Sequence, residues 1–405
     1  MSQRWVLYVL AVSLAIGALG SCGHASDPSE MTSAPAWSAV LDVRVGSIDT
    51  PGSTLTYFRD IEVGSDGSMY TVHPQEQLIR VFAADGSLRD TIGGEGDGPG
   101  EFQNVGGIGW VGDTLWVLDY QGYRFSQFDA AGTYLGQFSV AFESTSDPRA
   151  VQPPRARGLL YDGTVHAAPP AFSNQIAAGT LTLDVPMLMD REGRVTDTLP
   201  ATPFGRNQWA IGDPDAPERG GLYRPQPFGD GPIWAYGHGE RAVYVLRRPA
   251  PESSTAARAT LSKLSFGGDT LYSRSYYFPR IPVTVAEADS VAADVGDMMG
   301  ERGIFGVTAA KGREWAAASL YHPAYRPPVT SMVVARSGGV WLEMSAPQTE
   351  TGSEWLVVDG GGVPLARVSL PAGIDVLLID LPYVWASERD DFDVPYLLRF
   401  RVTGM

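Results

Sequence analysis

A short pattern recurs along this chain and limits what it can fold into. It consists of a Gly or Asp turn, an apolar residue, an aromatic, and then a brief polar/apolar alternation. It reads GSMYTV at Met69 and Tyr70, DTLWVL at Leu115 and Trp116, and DGTVHA at Val165 and His166. It returns as ERAVYVL at Val243 and Tyr244, GGVWLE at Val340 and Trp341, and PYVWAS at Val384 and Trp385. His166 replaces the aromatic in the third copy, and the fourth and sixth lack the Gly or Asp. Successive apolar anchors stand 46, 50, 78, 97 and 44 residues apart. The short spacings match one four-stranded propeller blade, about 40–50 residues, and the long ones require insertions.

Each copy sits in a similar context. The first unit reads as FRDIEV, SMYTV, QLIRVFA and SLRDTIG, with AADGS as a hairpin turn whose Asp-Gly supplies positive φ angles. The second repeats this as GGIGWV, TLWVLD, RFSQFDA and TYLGQFS, and the fifth as VTSMVVA, GVWLEM, EWLVVDG and PLARVSL. The third is ragged, and the fourth has long strands, ATLSKLSF and DTLYSRSYYF, that meet at Gly267 and Gly268. The sixth, IDVLLID, YVWASER and PYLLRFRV, lacks an outer strand, while the N-terminus has a surplus one in AVLDVRVGS, Ala39 to Ser47. A surplus strand at one end and a missing one at the other predict closure of a ring, which removes an open edge. The expectation is an all-β, six-bladed β-propeller over residues 37–405, with a short helical insertion at about 284–320 between blades four and five.

The Gly-rich stretch TIGGEGDGPGEF, Thr91 to Phe102, falls between the last strand of unit one and the first of unit two. With RFSQFDAAGTYL it resembles the blade-linking segment of NHL-type repeats. The resemblance is best over Gly94 to Leu135, and the whole chain is similar to six-bladed β-propeller lipoproteins with NHL-like blades. Rival readings of the stretch fail on chemistry. A Walker loop needs Gly-Lys-Ser/Thr, and no Lys is near. A Rossmann fingerprint needs a following helix, whereas QNVGGIGWVGDTLWV is strand. The calcium-binding nonapeptide of β-rolls places its Asp differently. The glycines read as relief of backbone strain at a corner.

Residues 1–21 carry Arg4 and then an apolar run from Trp5 to Leu19, too short for a comfortable membrane span. The run ends in Leu19-Gly20-Ser21-Cys22, which resembles the bacterial lipobox, and Cys22 is the only cysteine. The reading is a lipoprotein signal peptide over 1–21, lipidation at Cys22, and a flexible tether over 22–36. The implied location is the bacterial cell envelope, lipid-anchored and extracytoplasmic, at the periplasmic face of the outer membrane or the cell surface. A net charge of −16 argues against nucleic acid as a partner.

Thr284-Val285-Ala286-Glu287 fits a capping box, and Val285, Ala288, Val291, Ala292, Val295, Met298 and Met299 then mark one helical face. A second short helix reads over Lys311 to Leu320. No G-x-S-x-G elbow and no H-E-x-x-H are present, and the five histidines show no ligand spacing. His73 and His238 read as loop or strand-end histidines rather than as a metal pair; no metal and no cofactor is expected. Propeller enzymes such as calcium-dependent lactonases use polar residues on the innermost strands. The comparable positions here are Arg59, Asp60, Asn104, Arg157, Phe228, Thr330 and Asp375. Two arginines in that ring disfavour a bare divalent cation. Arg59, Asp60, Asn104, Arg157 and Asp375 are therefore the channel candidates for a ligand, and the arginines suit an anionic one. The expected function is a ligand- or protein-binding scaffold taking a small anionic ligand, glycan, peptide or envelope protein. The alternative is a hydrolase, lactonase or lyase working at the channel.

Overall fold

The computed structural model describes residues 24–25, 34–47, 54–121, 123–140, 155–168, 183–203, 206–216, 221–252, 256–347 and 352–405. Residues 1–21, expected to be a signal peptide, Cys22 and most of the expected tether lie outside these residues. What is described is built largely of antiparallel four-stranded meanders, arranged as in a β-propeller. The first contains Ile61–Val63, Met69–His73, Leu78–Phe82 and Leu88–Gly93, paired in that order. The second contains Val105–Val111, Thr114–Asp119, Arg124–Phe128 and Tyr134–Ser139, and the third Arg155–Leu159, Val165–Ala168, Met187–Met189 and Val195–Thr198. The fourth contains Ile233–Tyr236, Ala242–Arg247, Ala257–Ser265 and Thr270–Phe278, and His24–Ala25 lies parallel along its outer strand.

The remaining strands form one eight-stranded sheet. Val329–Val334, Val340–Met344, Gly352–Val358 and Pro364–Pro371 make one meander, and Ile374–Asp380, Tyr383–Arg389 and Pro395–Thr403 make a three-stranded one. The N-terminal strand Ala36–Val45 joins them. It pairs antiparallel with the C-terminal strand, Ser38 on Thr403 through Val45 on Leu397, and its first residues run parallel beside Arg367–Ser369. The pairing predicted for Ala39 to Ser47 is thus present, from Ser38 to Val45, in a strand that begins three residues earlier, at Ala36.

First strands of neighbouring sheets touch in order. Ile61–Val63 meets Val105–Val111, which meets Arg155–Leu159; Ile233–Tyr236 meets Val329–Val334, which meets Ile374–Asp380, and that strand returns to Ile61–Val63. A separate hydrophobic cluster fills each junction. Tyr70, Val72 and Ile79 pack on Ile108, Leu115 and Val117. Leu378, Trp385 and Leu397 pack on Ile61, Val63 and Met69.

The repeated aromatic is the wedge at these junctions. The Tyr70 hydroxyl donates to the Ala130 carbonyl of the next sheet at 2.9 Å, and that of Tyr244 to the Gly338 carbonyl at 3.1 Å. Trp116 reaches Gly158 in the third sheet, where an added Cβ would lie 2.9 Å from the indole. His166, which stands in the aromatic position, binds the Tyr236 hydroxyl of the fourth sheet through Nε2 at 2.6 Å. The pattern therefore records one side chain per sheet that buries a large apolar area against its neighbour.

The Gly-rich stretch turns the corner between the first two sheets. Gly93 has φ +85°, and a Cβ there would meet the Phe102 ring at 2.1 Å. The loop closes on itself: Gly96 N–H donates to the Phe102 carbonyl at 3.0 Å, and Gly98 N–H to Glu101 Oε2 at 2.8 Å.

Helix α1, Val285–Glu301, begins at the expected cap, where Glu287 N–H donates to Thr284 Oγ1 at 3.2 Å. Helix α2 spans Ala309–Ser319. A hairpin of Gln208–Ile211 and Leu222–Pro225, not anticipated from the sequence, packs Trp209 and Ile211 against Ala292, Val295 and Met299 of α1 and Trp315 of α2. It forms a small second core with the insertion.

Candidate functional site

Alternation on the short first strands decides which side chains enter the channel. In Ile61–Val63 the flanking residues are buried in the sheet junction, so Glu62 turns to the opposite face, as Asp60 does two residues earlier. Both carboxyls are held above their ordinary values, chiefly by burial. Asp60 accepts from its neighbour Ile61 N–H at 2.9 Å and from Ile108 N–H of the second sheet at 3.4 Å. Glu62 is pushed from 4.5 up to about 7, burial and the Asp60 charge outweighing the pull of Arg336.

Arg336 follows the strand Val329–Val334 and reaches the first strands of two other meanders, Ile61–Val63 and Ile374–Asp380. Its Nη2 donates to Glu62, and its Nη1 donates to the Val63 carbonyl at 3.1 Å and to Asp380 Oδ2 at 3.3 Å. Around this ion-pair cluster lies a cavity of about 600 Å³, lined by Glu62, Ser65, Trp110, Tyr161, His238 and Arg336 among others. These residues stand at the C-terminal ends of the first strands of successive sheets, which places the cavity at one mouth of the channel. His238 is at its exposed rim, yet the surrounding protein, and secondarily the Arg336 charge, hold its pKa below the usual value. Trp110 stacks edge-on against Tyr70 with centroids 5.4 Å apart, so its indole is held in place. The cavity thus offers a fixed guanidinium, a carboxyl poised near neutrality, an imidazole that stays neutral at pH 7, and two aromatic rings.

The channel candidates read from the sequence occupy the other ends of the same strands. Arg59 and Asn104 are exposed just before Ile61–Val63 and Val105–Val111. Arg157 sets its guanidinium 5.6 Å from the Trp234 ring centroid, linking the third sheet to the fourth. Asp375 is exposed near Glu343, whose carboxyl burial raises, with a smaller upward contribution from Asp375. Asp60 alone of the five reaches toward the cavity, through its charge on Glu62. Glu62, Arg336 and Asp380 are not among the candidates read from the sequence, and His238 enters there only as a metal partner of His73. Glu62 shares a face with Asp60, but its strand is only three residues long, so the sequence does not single it out.

His73 is fully buried, with Thr56 Oγ1 3.0 Å from Nδ1 and Thr71 Oγ1 2.9 Å from Nε2. Among the described residues no group of three or more His, Cys, Asp or Glu side chains is placed to hold a metal ion.

No protein-family model and no curated protein matches the sequence. Similar solved structures include one from Bacteroides fragilis described as an exported protein, 11% identical, covering 91% of this chain and 99% of its own, with a TM-score of 0.43. Virginiamycin B lyase from Staphylococcus aureus is 9% identical, with 90% and 100% coverage and a TM-score of 0.41. Regucalcin from Agrobacterium tumefaciens, a calcium-binding protein, is 12% identical, with 92% and 97% coverage and a TM-score of 0.38. The architecture stated above rests on this chain's own strand order.

Proposed function

We propose that this chain is a six-bladed β-propeller, lipid-anchored at Cys22 on the extracytoplasmic side of a bacterial membrane, that binds a small polar molecule at the channel mouth beside Arg336. One observation carries the binding reading: polar and aromatic side chains from successive sheets converge on one cavity of about 600 Å³. Convergence of a few fixed polar groups in a concavity of about 300–1,000 Å³ is what orients a small ligand. Arg336 supplies a bidentate donor for a carboxylate or a sugar hydroxyl pair, Trp110 and Tyr161 supply ring faces, and Glu62 and Asp380 accept. The six-blade count is supported by the six copies of the recurring pattern and by the Ala36–Val45 strand, which supplies the outer strand for the last meander. The lipid anchor is supported by LGSC and the single cysteine.

A second reading is favoured by one feature. Glu62 titrates near 7 and shares a cavity with an imidazole held neutral, the complementary states that general acid–base chemistry requires. A thermal-shift screen of organic acids, sugars and short peptides on the wild type and Arg336→Met tests the first reading. A ligand whose shift persists in Arg336→Met is not bound at this mouth. Any ligand found is then incubated with wild type and Glu62→Gln: product formation lost only in the variant supports the enzyme, and no product in either supports the binding protein. Mass spectrometry of the mature protein tests the anchor, with an acylated N-terminal Cys22 expected and an unmodified N-terminus elsewhere contradicting it.

A further inference from the structure

A second cavity, about 240 Å³, lies toward the opposite ends of the first strands, lined by Asn207, Gln226, Arg248, Arg326, Thr330 and Ser345 among others. Arg248 is only 7% exposed. Its Nη1 donates to the Val329 carbonyl and its Nη2 to Asn207 Oδ1, both at 3.0 Å. These acceptors are neutral, and the Arg248 Nε–H has no partner among the described residues. Asp230 is the carboxylate that acts on Arg248 through space, but its oxygens are already engaged by Arg206 at 3.6 Å, Tyr321 at 3.2 Å and the Ala250 N–H at 3.3 Å. Arg326 gives its Nη2 to Glu287 of α1, and its Nε–H is likewise without a partner among the described residues. Gln226 Oε1 is a buried acceptor with no donor among the described residues.

A buried guanidinium hydrogen-bonded only to neutral oxygens, with Asp230 engaged by other donors, is costly, and an anion at the site removes that cost. The two hydroxyls on the wall are committed elsewhere, Thr330 to Glu343 Oε2 at 2.6 Å and Ser345 to the Pro327 carbonyl. What remains is a set of cationic donors with one neutral acceptor among them. A carboxylate satisfies the donors and leaves Gln226 orphaned. A monoprotonated phosphate satisfies both, because it carries its own O–H. We propose that this cavity is a phosphate site, in which Arg248 and Arg326 donate to the phosphoryl oxygens and Gln226 Oε1 accepts from the P–OH group. Glu287 ties Arg326 to α1, so the helical insertion holds one wall of the site in place.

The test is calorimetric titration of the full chain with inorganic phosphate and with methyl phosphate, in chloride buffer of matched ionic strength. Saturable binding is expected, weakened at least about tenfold by Arg248→Met and by Arg326→Gln and unchanged by the surface variant Arg194→Ala. Arg248→Lys keeps the charge without the planar fork; intermediate weakening in it shows that the loss is not a folding defect. Tighter inorganic phosphate identifies the free ion as the ligand, and tighter methyl phosphate a phosphate ester; either supports the site. No saturable binding of either compound to the wild type, or binding unchanged in Arg248→Met and Arg326→Gln alike, overturns it.

Discussion

Replacing Arg336 by Met removes the cation paired with Glu62 among the described residues, and the consequence depends on pH in a defined direction. In the native chain the Glu62 carboxyl titrates near 7, against an ordinary 4.5. An acid whose pKa is raised by folding contributes nothing adverse below its unfolded value, and stability then falls as pH rises to the folded value. Over that window the fall amounts to about 3.4 kcal/mol. Above pH 7 the native protein pays no further. Without Arg336 the folded pKa climbs higher, so the fall continues past pH 7 at about 1.4 kcal/mol per pH unit. At pH 5 the substitution costs only its hydrogen bonds to the Val63 carbonyl and Asp380 and some packing, about 1–3 kcal/mol. At pH 9 the cost should be larger by about 2–3 kcal/mol. Urea denaturation of wild type, Arg336→Met, Glu62→Gln and the double variant at pH 5, 7 and 9 reads this out. The excess at pH 9 should vanish in the double variant compared with Glu62→Gln alone. An Arg336→Met penalty that is the same at pH 5 and pH 9 refutes the buried, elevated carboxyl.

Three further outcomes are expected. His166 is held near 3 by burial, so the unfolded chain takes the proton first and stability falls as pH drops below 6.5; His166→Gln should remove about 1.4 kcal/mol per pH unit of that acid slope, seen in denaturant midpoints between pH 4 and 6. Gly93→Ala places a Cβ on the Phe102 ring at a positive φ and should destabilise by about 2–4 kcal/mol in the same assay while leaving ligand affinity untouched. Removing residues through Ser47 strips the C-terminal strand of its outer partner and breaks the 2.8 Å Arg399–Asp42 contact, so light scattering should show aggregation; a truncated chain that melts at the wild-type temperature contradicts ring closure.

The sheets were legible because each repeats a local signal. Hairpin turns such as Ala83 to Ser87, the alternation of Tyr134–Ser139 and the Thr284 cap act over a few residues, and each forms where its residues dictate. The N-terminal pairing was legible as a count of strands. The hairpin Gln208–Ile211 with Leu222–Pro225 was not, because its apolar residues answer to α1 and α2 rather than to a neighbouring sheet, so no blade-like context surrounds it. The cavity was not legible for a different reason. Ile61–Val63 is three residues long, too short for its alternation to announce which end of the strand holds the exposed polar group. The partners of Glu62 come from Arg336 and Asp380, and only closure of the sheets around an axis brings those positions together.

The central claim is that ligand binds at the mouth formed by the C-terminal ends of the first strands. Amide hydrogen exchange with and without the ligand found by screening tests it most directly. Protection is expected at residues 62–65, 110–113, 238–239 and 336, the segments that line the cavity. Protection confined to the opposite strand ends, at Arg59, Asn104, Arg157 and Asp375, with none around Glu62 and Arg336, would contradict it.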